Sequence, residues 1–460
     1  LKALSISSPR RVLQGIRLDV LAIWENYPIG IRIYRRKRGE TSFFVLAVDR
    51  GLFERDVEEA FLGDVIAAWL LSPYEELVGS GYLWKHEALF KRRKVEEAMT
   101  RLALEYPHLS LELLIEPNYF LFEPLCKITQ IYPPITSIYI DFEGESHENA
   151  VEASMVGYGE VFREIVQEGK LHFRDGYLLL DRDFIEEAKK HRFRAINFLK
   201  MVDKSLRPYL IRVFSKVAEL LSFYPEAEVQ NLIEGGPRKI KDPKTFLHLS
   251  TTLGIVSLSE ATGIEDFIKR MEPLGKVSDV KLEPCGGVLN DVYLLRFGRG
   301  DMEEKALVKK YQNWVGFKWF PLALWTLGTQ NFSVLGRSRL EREYAISSLL
   351  QRQGCPVPSV YHVNLNRLIL IREFVEGENL VDTVRDVLLK GENLEGADRL
   401  RRLGGLVAQV HSLGVTIGDC KPENFIASSS EKIYIIDLEQ GADKGNPVWD
   451  LAELLYYSGH

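Results

Sequence analysis

Apolar residues recur every second residue in some stretches of the chain and every third or fourth residue in others, which predicts both strands and helices. Apolar runs at Ile29–Tyr34 and Phe43–Val48 flank the polar turn RRKRGE, so this region predicts a β-hairpin. Helical spacing continues from Glu54 to about Glu105. It predicts one helix over VEEAFLGDVIAAWLL and a second over LFKRRKVEEAMTRLALEY, separated at Pro73.

A helix followed by two short apolar runs is expected over residues 146–185. Arg174-Asp175-Gly176 lies between these runs and is typical of a hairpin turn. The pattern fits a winged-helix element and a generic helix with a hairpin equally well. Residues 184–223 continue as helix with many basic residues, which form either a solvated amphipathic pair or a basic face for RNA. Residues 234–245, GGPRKIKDPKTF, are typical of a linker.

Composition describes an ordinary globular chain. It has 460 residues, of which 46% are hydrophobic and 27% charged, enough for two or three domains. The net charge of −6 gives no overall case for nucleic-acid binding. The cysteines are scattered and form no C-x-x-C pair, which favours a reducing, cytoplasmic setting. They are Cys126, Cys285, Cys355 and Cys420.

The chain contains no apolar run long enough to cross a bilayer, so we expect no membrane partner. The nearest approach is Trp314–Leu327, which Lys318 and Pro321 interrupt. Because the chain starts at Leu1 and stops inside a predicted helix, we expect a fragment that is trimmed at one or both ends.

Basic residues crowd the predicted hairpin turn at Arg35, Arg36, Lys37 and Arg38. They form either a solvated turn or a contact for RNA or phosphate. A nucleotidyltransferase site would need two carboxylates at alternate strand positions beside a Gly-Ser turn. Gly79-Ser80 has no D-x-D nearby, so no such site is predicted in this half.

Candidate chemistry is concentrated between His411 and Gln440, in HSLGVTIGDCKPENFIASSSEKIYIIDLEQ. KIYIID predicts a buried strand that ends at Asp437, a usual place for a metal-binding carboxylate. Asp419 and Asn424 stand in the order D-x-x-x-x-N. In phosphoryl transfer such a loop supplies an Asp for the substrate hydroxyl and an Asn for a second magnesium ion.

GDCKPENF resembles the D-x-K-P-x-N loop of protein kinases, and IID resembles their strand into D-F-G. Upstream, ALVKKY resembles V-A-I-K and selects Lys309 over Lys310. The following helix offers Glu343 as the partner of Lys309, with Glu341 as the alternative. RLILIREFVEGENL resembles the strand and hinge that bind adenine. The resemblance implies a set of site residues. They are Gly286, Gly287, Lys309, Glu343, Glu373 and Val375 for ATP, Asp419 and Lys421 for catalysis, and Asn424 and Asp437 for Mg²⁺.

The departures from the pattern are informative. Ile-Gly precedes Asp419 where kinases carry His-Arg, so no receptor for an activation-loop phosphate is expected. Asp437-Leu438-Glu439 replaces D-F-G, and WDLAELL follows almost at once without an A-P-E segment. Asp450 is a candidate brace for the catalytic loop. Arg372 stands where an apolar residue usually lines the nucleotide pocket. The compact ending resembles the RIO kinases and the small KEOPS-complex protein kinase.

Aromatic residues are dense between Trp314 and Phe332. They form either a surface that docks on the N-terminal half or one that meets a substrate or partner protein.

We therefore expect an α+β multidomain protein. Residues 1–140 form an N-terminal α/β domain, 141–240 a mainly helical region with a winged-helix candidate, and 241–276 a linker and the start of the C-terminal domain. Residues 277–460 form a two-lobed protein-kinase-like domain without a long activation segment.

The function expected is an ATP- and Mg²⁺-dependent phosphotransferase of the atypical serine/threonine protein kinase class, or an ATPase. Two alternatives stay open: a small-molecule kinase of the same fold, and a catalytically weak nucleotide-binding or RNA-associated scaffold. The partners expected are a nucleotide, a protein substrate, and RNA or ribonucleoprotein through the basic N-terminal half.

Overall fold

The structure, a computed structural model, describes residues 1–7, 10–12, 15–131, 147–190, 240–260, 263–271, 277–286, 290–299, 302–313, 335–390 and 394–459. The chain divides into two compact units. The first comprises residues 1–111 and 115–247, and the second comprises 112–114 and 248–460. Among the described residues, no helix combines the length and the apolar character needed to cross a membrane.

A mixed sheet forms the start of the N-terminal unit. Its strands are β1 (Ala3–Ser7), β2 (Arg10–Val12), β3 (Gly15–Trp24), β4 (Ile31–Arg38), β5 (Thr41–Asp49) and β6 (Tyr74–Val78). The order is β4-β5-β3-β1-β6, with β2 paired to β3 and only the β3–β5 pairing of this sheet parallel. The expected hairpin is confirmed as β4–β5. The basic residues from Arg35 to Arg38 lie within the edge strand β4, not at the turn, which is made at Gly39 with φ +60°. Charged side chains on an edge strand discourage pairing with other chains. An RNA contact through them stays a prediction.

The helix expected over residues 57–71 is wrong as a single element. Helix α1 (Arg50–Glu59) ends where Ala60 turns left-handed. The chain then runs through turns to a short 3₁₀ segment at Ala67–Leu71. The cause is the fully buried Asp56, whose carboxylate accepts four backbone N–H groups from residues 62–67 at 2.7–3.0 Å. These bonds hold the turn in place of a continued helix.

The second expected helix is confirmed as α2 (Tyr82–Glu105), and α3 (Tyr119–Ile131) follows. Helix α4 (His147–Gln167) leads into the strands β8 (Leu171–Arg174) and β9 (Tyr177–Leu180), and then into α5 (Arg182–Lys190). The strand β7 (Leu114–Ile115) pairs with β9 through Ile115 and Leu178. The helix and hairpin are as expected, whereas the winged-helix assignment stays a prediction. The remainder of the expected basic helix lies outside the described residues.

The second unit begins in the stretch that we expected to combine a linker with the start of a domain. Strands β10 (Leu247–Thr251) and β11 (Gly254–Ser257) form a hairpin, and α6 (Ile264–Met271) follows. A sheet then forms in the order β12-β13-β14-β16-β15. Its strands are β12 (Val277–Gly286), β13 (Asn290–Arg299), β14 (Met302–Tyr311), β15 (Val360–Asn364) and β16 (Ile369–Glu373).

One face of this sheet is buried against α6. Phe267 and Met271 of the helix pack on Leu295, Phe297 and Val308 of the sheet. Helix α7 (Gly336–Arg352) connects β14 to β15, and Gly354, with φ +73°, follows its C-terminal end. The aromatic stretch before α7 lies outside the described residues.

The second half of this unit is mainly helical. It contains β17 (Gly377–Asn379), α8 (Leu380–Lys390), α9 (Leu394–Ser412), β18 (Val415–Thr416), β19 (Phe425–Ser428), β20 (Ile433–Ile435), β21 (Ala442–Asp443) and α10 (Pro447–Ser458). The predicted strand KIYIID is β20, with Ile433 and Ile435 buried. These pack with Leu350 of α7 and Val407 of α9 in one core. The α+β class is confirmed, and the strands carry the candidate residues to a common region.

Candidate active site

Lys309 lies near the end of β14 and faces the interior. It pairs with Val292 of β13 and Leu370 of β16 in the sheet. Alternation along the strand leaves Lys309 only 3% exposed and turns Lys310 to the solvent. The structure therefore separates the two lysines as the sequence predicts.

Three carboxylates converge on the Lys309 ammonium. Its Nζ lies 2.7 Å from Glu343 Oε2, 3.1 Å from Asp437 Oδ1 and 2.9 Å from Glu439 Oε2. Burial alone lowers the pKa of Lys309, but the charges of Asp437, Glu343 and Glu439 outweigh it and hold this pKa well above its usual value. Lys309 is therefore a permanent cation at the centre of the cluster.

Glu343 is shared between two cations. Besides Lys309, its carboxylate accepts a hydrogen bond from Arg372 Nη1 at 2.7 Å and one from the Tyr311 hydroxyl. Glu343 is fully buried and Arg372 is 7% exposed. Arg372 thus replaces an apolar pocket residue with a second counter-charge for Glu343. The alternative partner, Glu341, pairs with Arg337 on its own helix at 2.9 Å instead of meeting Lys309.

Asp437 lies just past β20, as its sequence position predicts. Burial raises the pKa of this carboxyl group, while Lys309 and Arg372 lower it more, so its pKa lies below its usual value. Asp437 is therefore ionised at neutral pH. Its side chain keeps 27% of its surface exposed, which leaves it open to a cation from solvent.

The catalytic loop brings Asp419, Lys421 and Asn424 together. Asn424 Nδ2 donates to the Asp419 carboxylate at 2.9 Å and to its carbonyl oxygen at 2.8 Å. Lys421 Nζ lies 3.0 Å from Asp419 Oδ2. Burial lowers the pKa of Lys421, but the charges of Asp419, Glu423 and Asp437 raise it overall. Ile436, directly before Asp437, donates its backbone N–H to the Asn424 carbonyl oxygen at 2.9 Å, which joins the loop to the segment that carries Asp437.

Asp450 holds this loop in place, as the sequence predicts. It lies in the first turn of α10 and is fully buried. Its carboxylate accepts the backbone N–H of Ile417 at 2.7 Å and of Gly418 at 2.8 Å, and it bonds His411 Nε2 at 2.8 Å. Three bonds to one buried carboxylate fix the backbone that leads into Asp419.

Gly418 occupies the position where kinases carry arginine, and the backbone explains why. Its φ is +80°, and a Cβ added there would lie 2.1 Å from the carbonyl oxygen of Gln440. Only glycine fits a left-handed backbone at such a close approach. The missing arginine is therefore a consequence of the local packing.

The structure describes only part of the segments predicted to bind the nucleotide. Gly286 ends β12 with φ +99°, and Gly287 lies outside the described residues. Glu373 ends β16, where its N–H donates to Ser359 O at 2.9 Å, and Val375 follows in the connection to β17. Their contacts with adenine stay predictions.

Two sets of side chains in this region offer oxygen atoms as ligands for a metal ion. Glu343, Asp437 and Glu439 have carboxylate oxygens within 4.8 Å of one another. The Lys309 ammonium already lies among these three groups, so they balance its charge. Asn424 and Asp437, the predicted magnesium ligands, both offer the oxygen atoms that Mg²⁺ prefers. The Asn424 Nδ2 group is engaged with Asp419, which leaves its amide oxygen as the atom for a cation.

Three residues of this cluster have roles that the sequence does not assign. Arg339 is missed altogether, Glu439 appears only as a departure from D-F-G, and Arg372 appears only where an apolar residue is usual. A carboxylate in place of the D-x-G glycine and an arginine on an otherwise apolar strand are the available signals. Each places a charged side chain where the kinase pattern has a glycine or an apolar residue. Such a charge needs a counter-charge when it is buried.

Comparison with known proteins supports the assignment of this region. Residues 300–457 match the model of the lipopolysaccharide kinase (Kdo/WaaP) family. The chain is also 30% identical over 106 residues to the KEOPS complex subunit Bud32 of Pyrococcus abyssi (strain GE5 / Orsay). That match covers 22% of this chain and 44% of the Bud32 chain, which is less than half the length of that relative. The resemblance of the C-terminal region to atypical protein-kinase-like proteins is confirmed.

Proposed function

We propose that the C-terminal unit is an ATP- and Mg²⁺-dependent phosphotransferase. The observation that carries the proposal is the convergence of residues from four separate segments. Lys309 meets Glu343 and Asp437, and Asp419 meets Asn424 and Lys421. A backbone hydrogen bond from Ile436 to Asn424 joins the two groups. Phosphoryl transfer needs this combination of a phosphate-binding cation, metal-binding oxygens and a carboxylate that orients the nucleophile.

Each residue has a separate role in the proposed reaction. Lys309, held by Glu343, binds the nucleotide phosphates. Asn424 and Asp437 would hold Mg²⁺, which would supply positive charge to offset that of the phosphates. Asp419 orients the acceptor hydroxyl and accepts its proton, and Lys421 offsets charge on the moving phosphoryl group. The acceleration comes from positioning and electrostatics, without a covalent enzyme intermediate.

The acceptor divides this proposal into two candidates. Lys421, two residues after Asp419, favours a serine or threonine hydroxyl of a protein, because it matches the D-x-K form of protein kinases. The match to the lipopolysaccharide kinase family favours a saccharide hydroxyl instead. Transfer to water is the default when neither acceptor is present. A parallel assay with a protein acceptor and a phosphate-free saccharide acceptor distinguishes the candidates by which of them becomes labelled.

The test of the proposal is ATP turnover by the full chain beside Asp419→Asn. This variant keeps the size of the side chain and removes the charge that orients the nucleophile. We expect turnover to fall at least about a hundredfold while nucleotide binding stays within about threefold. Asp382→Asn, an exposed aspartate on α8, is the matched control and should change neither. Turnover that survives Asp419→Asn would contradict the assigned mechanism. Nucleotide binding without turnover by the unaltered protein would favour the scaffold alternative.

A further inference from the structure

Glu439 occupies the position of the D-x-G glycine and takes part in a closed, buried ring of three side chains. Its Oε2 accepts from Asn290 Nδ2 at 2.7 Å, and its Oε1 accepts from Arg339 Nη1 at 3.1 Å. The same Arg339 Nη1 donates to Asn290 Oδ1 at 2.7 Å and closes the ring. Glu439, Asn290 and Arg339 are 6%, 8% and 0% exposed. Each of the three side chains bonds both of the others.

The three members of the ring come from different parts of the proposed phosphate site. Asn290 is the first residue of β13 and stands three positions after Gly287, one of the predicted ATP-binding glycines. Arg339 lies on α7 one turn before Glu343, so both project from the same face of the helix. Glu439 follows Asp437 by two residues and also contacts Lys309 at 2.9 Å. The ring therefore links the start of β13, the helix that carries Glu343 and the segment that carries Asp437.

The ring lies within a buried cluster of balanced charges, which makes the ring costly to open. Arg339, Arg372 and Lys309 supply three positive charges, and Glu343, Glu439 and Asp437 supply three negative charges. Opening the ring would leave Arg339 buried beside Asn290 without the charge of Glu439, a costly arrangement at low dielectric. Arg339 Nη2 is additionally bound to the carbonyl oxygen of Gln312 at 2.5 Å, which fixes the guanidinium from the other side.

We propose that Glu439 is a positioning residue that locks α7 and the start of β13 against the Asp437 segment. The lock keeps the Lys309–Glu343 pair assembled before nucleotide binds and without an activating modification. This inference rests on the proposed phosphotransferase function. A glycine at position 439 leaves the backbone free to turn and gives Arg339 no counter-charge, whereas glutamate removes that freedom and fills the site.

Two measurements on Glu439→Gly test the proposal in the full chain. Amide hydrogen exchange of residues 340–347 in nucleotide-free protein should speed up about 10- to 100-fold, because the tie between α7 and residue 439 is lost. The KM for MgATP should rise about tenfold or more, with a smaller effect on kcat, because Lys309 is less well positioned. Gln351→Ala, an exposed position on the same helix and outside residues 340–347, is the matched control and should change neither value by more than about twofold.

Further variants keep the proposal falsifiable if glycine prevents folding. Glu439→Gln retains the shape and one acceptor oxygen and should show an intermediate effect in both measurements. Arg339→Met should reproduce the effect of Glu439→Gly. The double variant of Glu439→Gly and Arg339→Met should be little worse than either single variant, because both substitutions remove the same contact. Fully additive effects, or exchange and KM values for Glu439→Gly within twofold of the unaltered protein, would overturn the lock. If the unaltered protein shows no turnover, the proposed function fails while the exchange measurement still decides whether the lock exists.

Discussion

Gly418→Ala should destabilise the second unit, and the structure gives the size of the effect. The substitution forces alanine into φ +80°, which costs about 1–2 kcal/mol. Its Cβ would also lie 2.1 Å from the Gln440 carbonyl oxygen, so the two backbone segments must separate by about 1 Å or more. Overpacking of this kind costs about 1–3 kcal/mol. Together we expect a loss of about 2–5 kcal/mol, concentrated where β18 pairs with β21.

The matched control is the same substitution at Gly404. That glycine is exposed inside α9, and an added Cβ would meet nothing within 4 Å. Alanine is the better helix former, so Gly404→Ala should stabilise the unit by about 0.5–1 kcal/mol. Urea unfolding followed by circular dichroism measures both changes, and amide exchange of residues 415–418 localises the first. If Gly418→Ala is as stable as the unaltered protein, the explanation given for the missing arginine is wrong.

Three further predictions follow from buried groups. Asp450→Ala leaves the N–H groups of Ile417 and Gly418 without their acceptor and should lower the free energy of urea unfolding by about 3–5 kcal/mol. The control Asp382→Ala should have little effect, and a loss below about 1 kcal/mol for Asp450→Ala would contradict the bracing role. Asp56→Ala should lower the stability of the N-terminal unit by a similar about 3–5 kcal/mol, seen as faster amide exchange over residues 62–67, and unchanged exchange there would refute the account of that turn. Burial, with the charge of Asp64, raises the pKa of Asp56 from 3.8 to about 6. Protonation of Asp56 therefore stabilises the folded state by at most about 3 kcal/mol below pH 3.8, and this contribution is lost as the pH rises through 6. Asp56→Asn should remove this pH dependence from the free energy of unfolding.

The catalytic loop and its partners could be predicted because their spacing along the chain is preserved. Asp419, Asn424 and Asp437 are close in sequence, and a short loop followed by a buried strand brings them together under local constraints. Lys309 and Glu343 are separated by a long stretch, but the alternation of side chains along β14 determines that Lys309, not Lys310, faces the interior.

The Asn290–Arg339–Glu439 ring could not be predicted, because its members are far apart in the chain and no motif connects them. A buried arginine becomes intelligible only when its counter-charges are known, and these depend on how α7 packs against the sheet. Arg372 is the same case, since its partner Glu343 lies on another element.

The failed helix over residues 57–71 has a different cause. The apolar period continues through Gly63, so periodicity alone predicts one helix. The buried Asp56 carboxylate instead captures the backbone N–H groups of the following turn. Competition between a side-chain acceptor and the helix ladder depends on burial, which the local pattern does not contain.

The most direct test of the central claim is the Mg²⁺ dependence of ATP turnover by the full chain and by Asp437→Asn. Asp437 is the one proposed metal ligand that also contacts Lys309, so its charge should set how much Mg²⁺ is required. We expect turnover that saturates with Mg²⁺ in the unaltered protein. We also expect a shift of at least about tenfold to higher Mg²⁺, or loss of turnover, in Asp437→Asn. Turnover that needs no divalent cation, or that responds identically to Mg²⁺ in the two proteins, would contradict it.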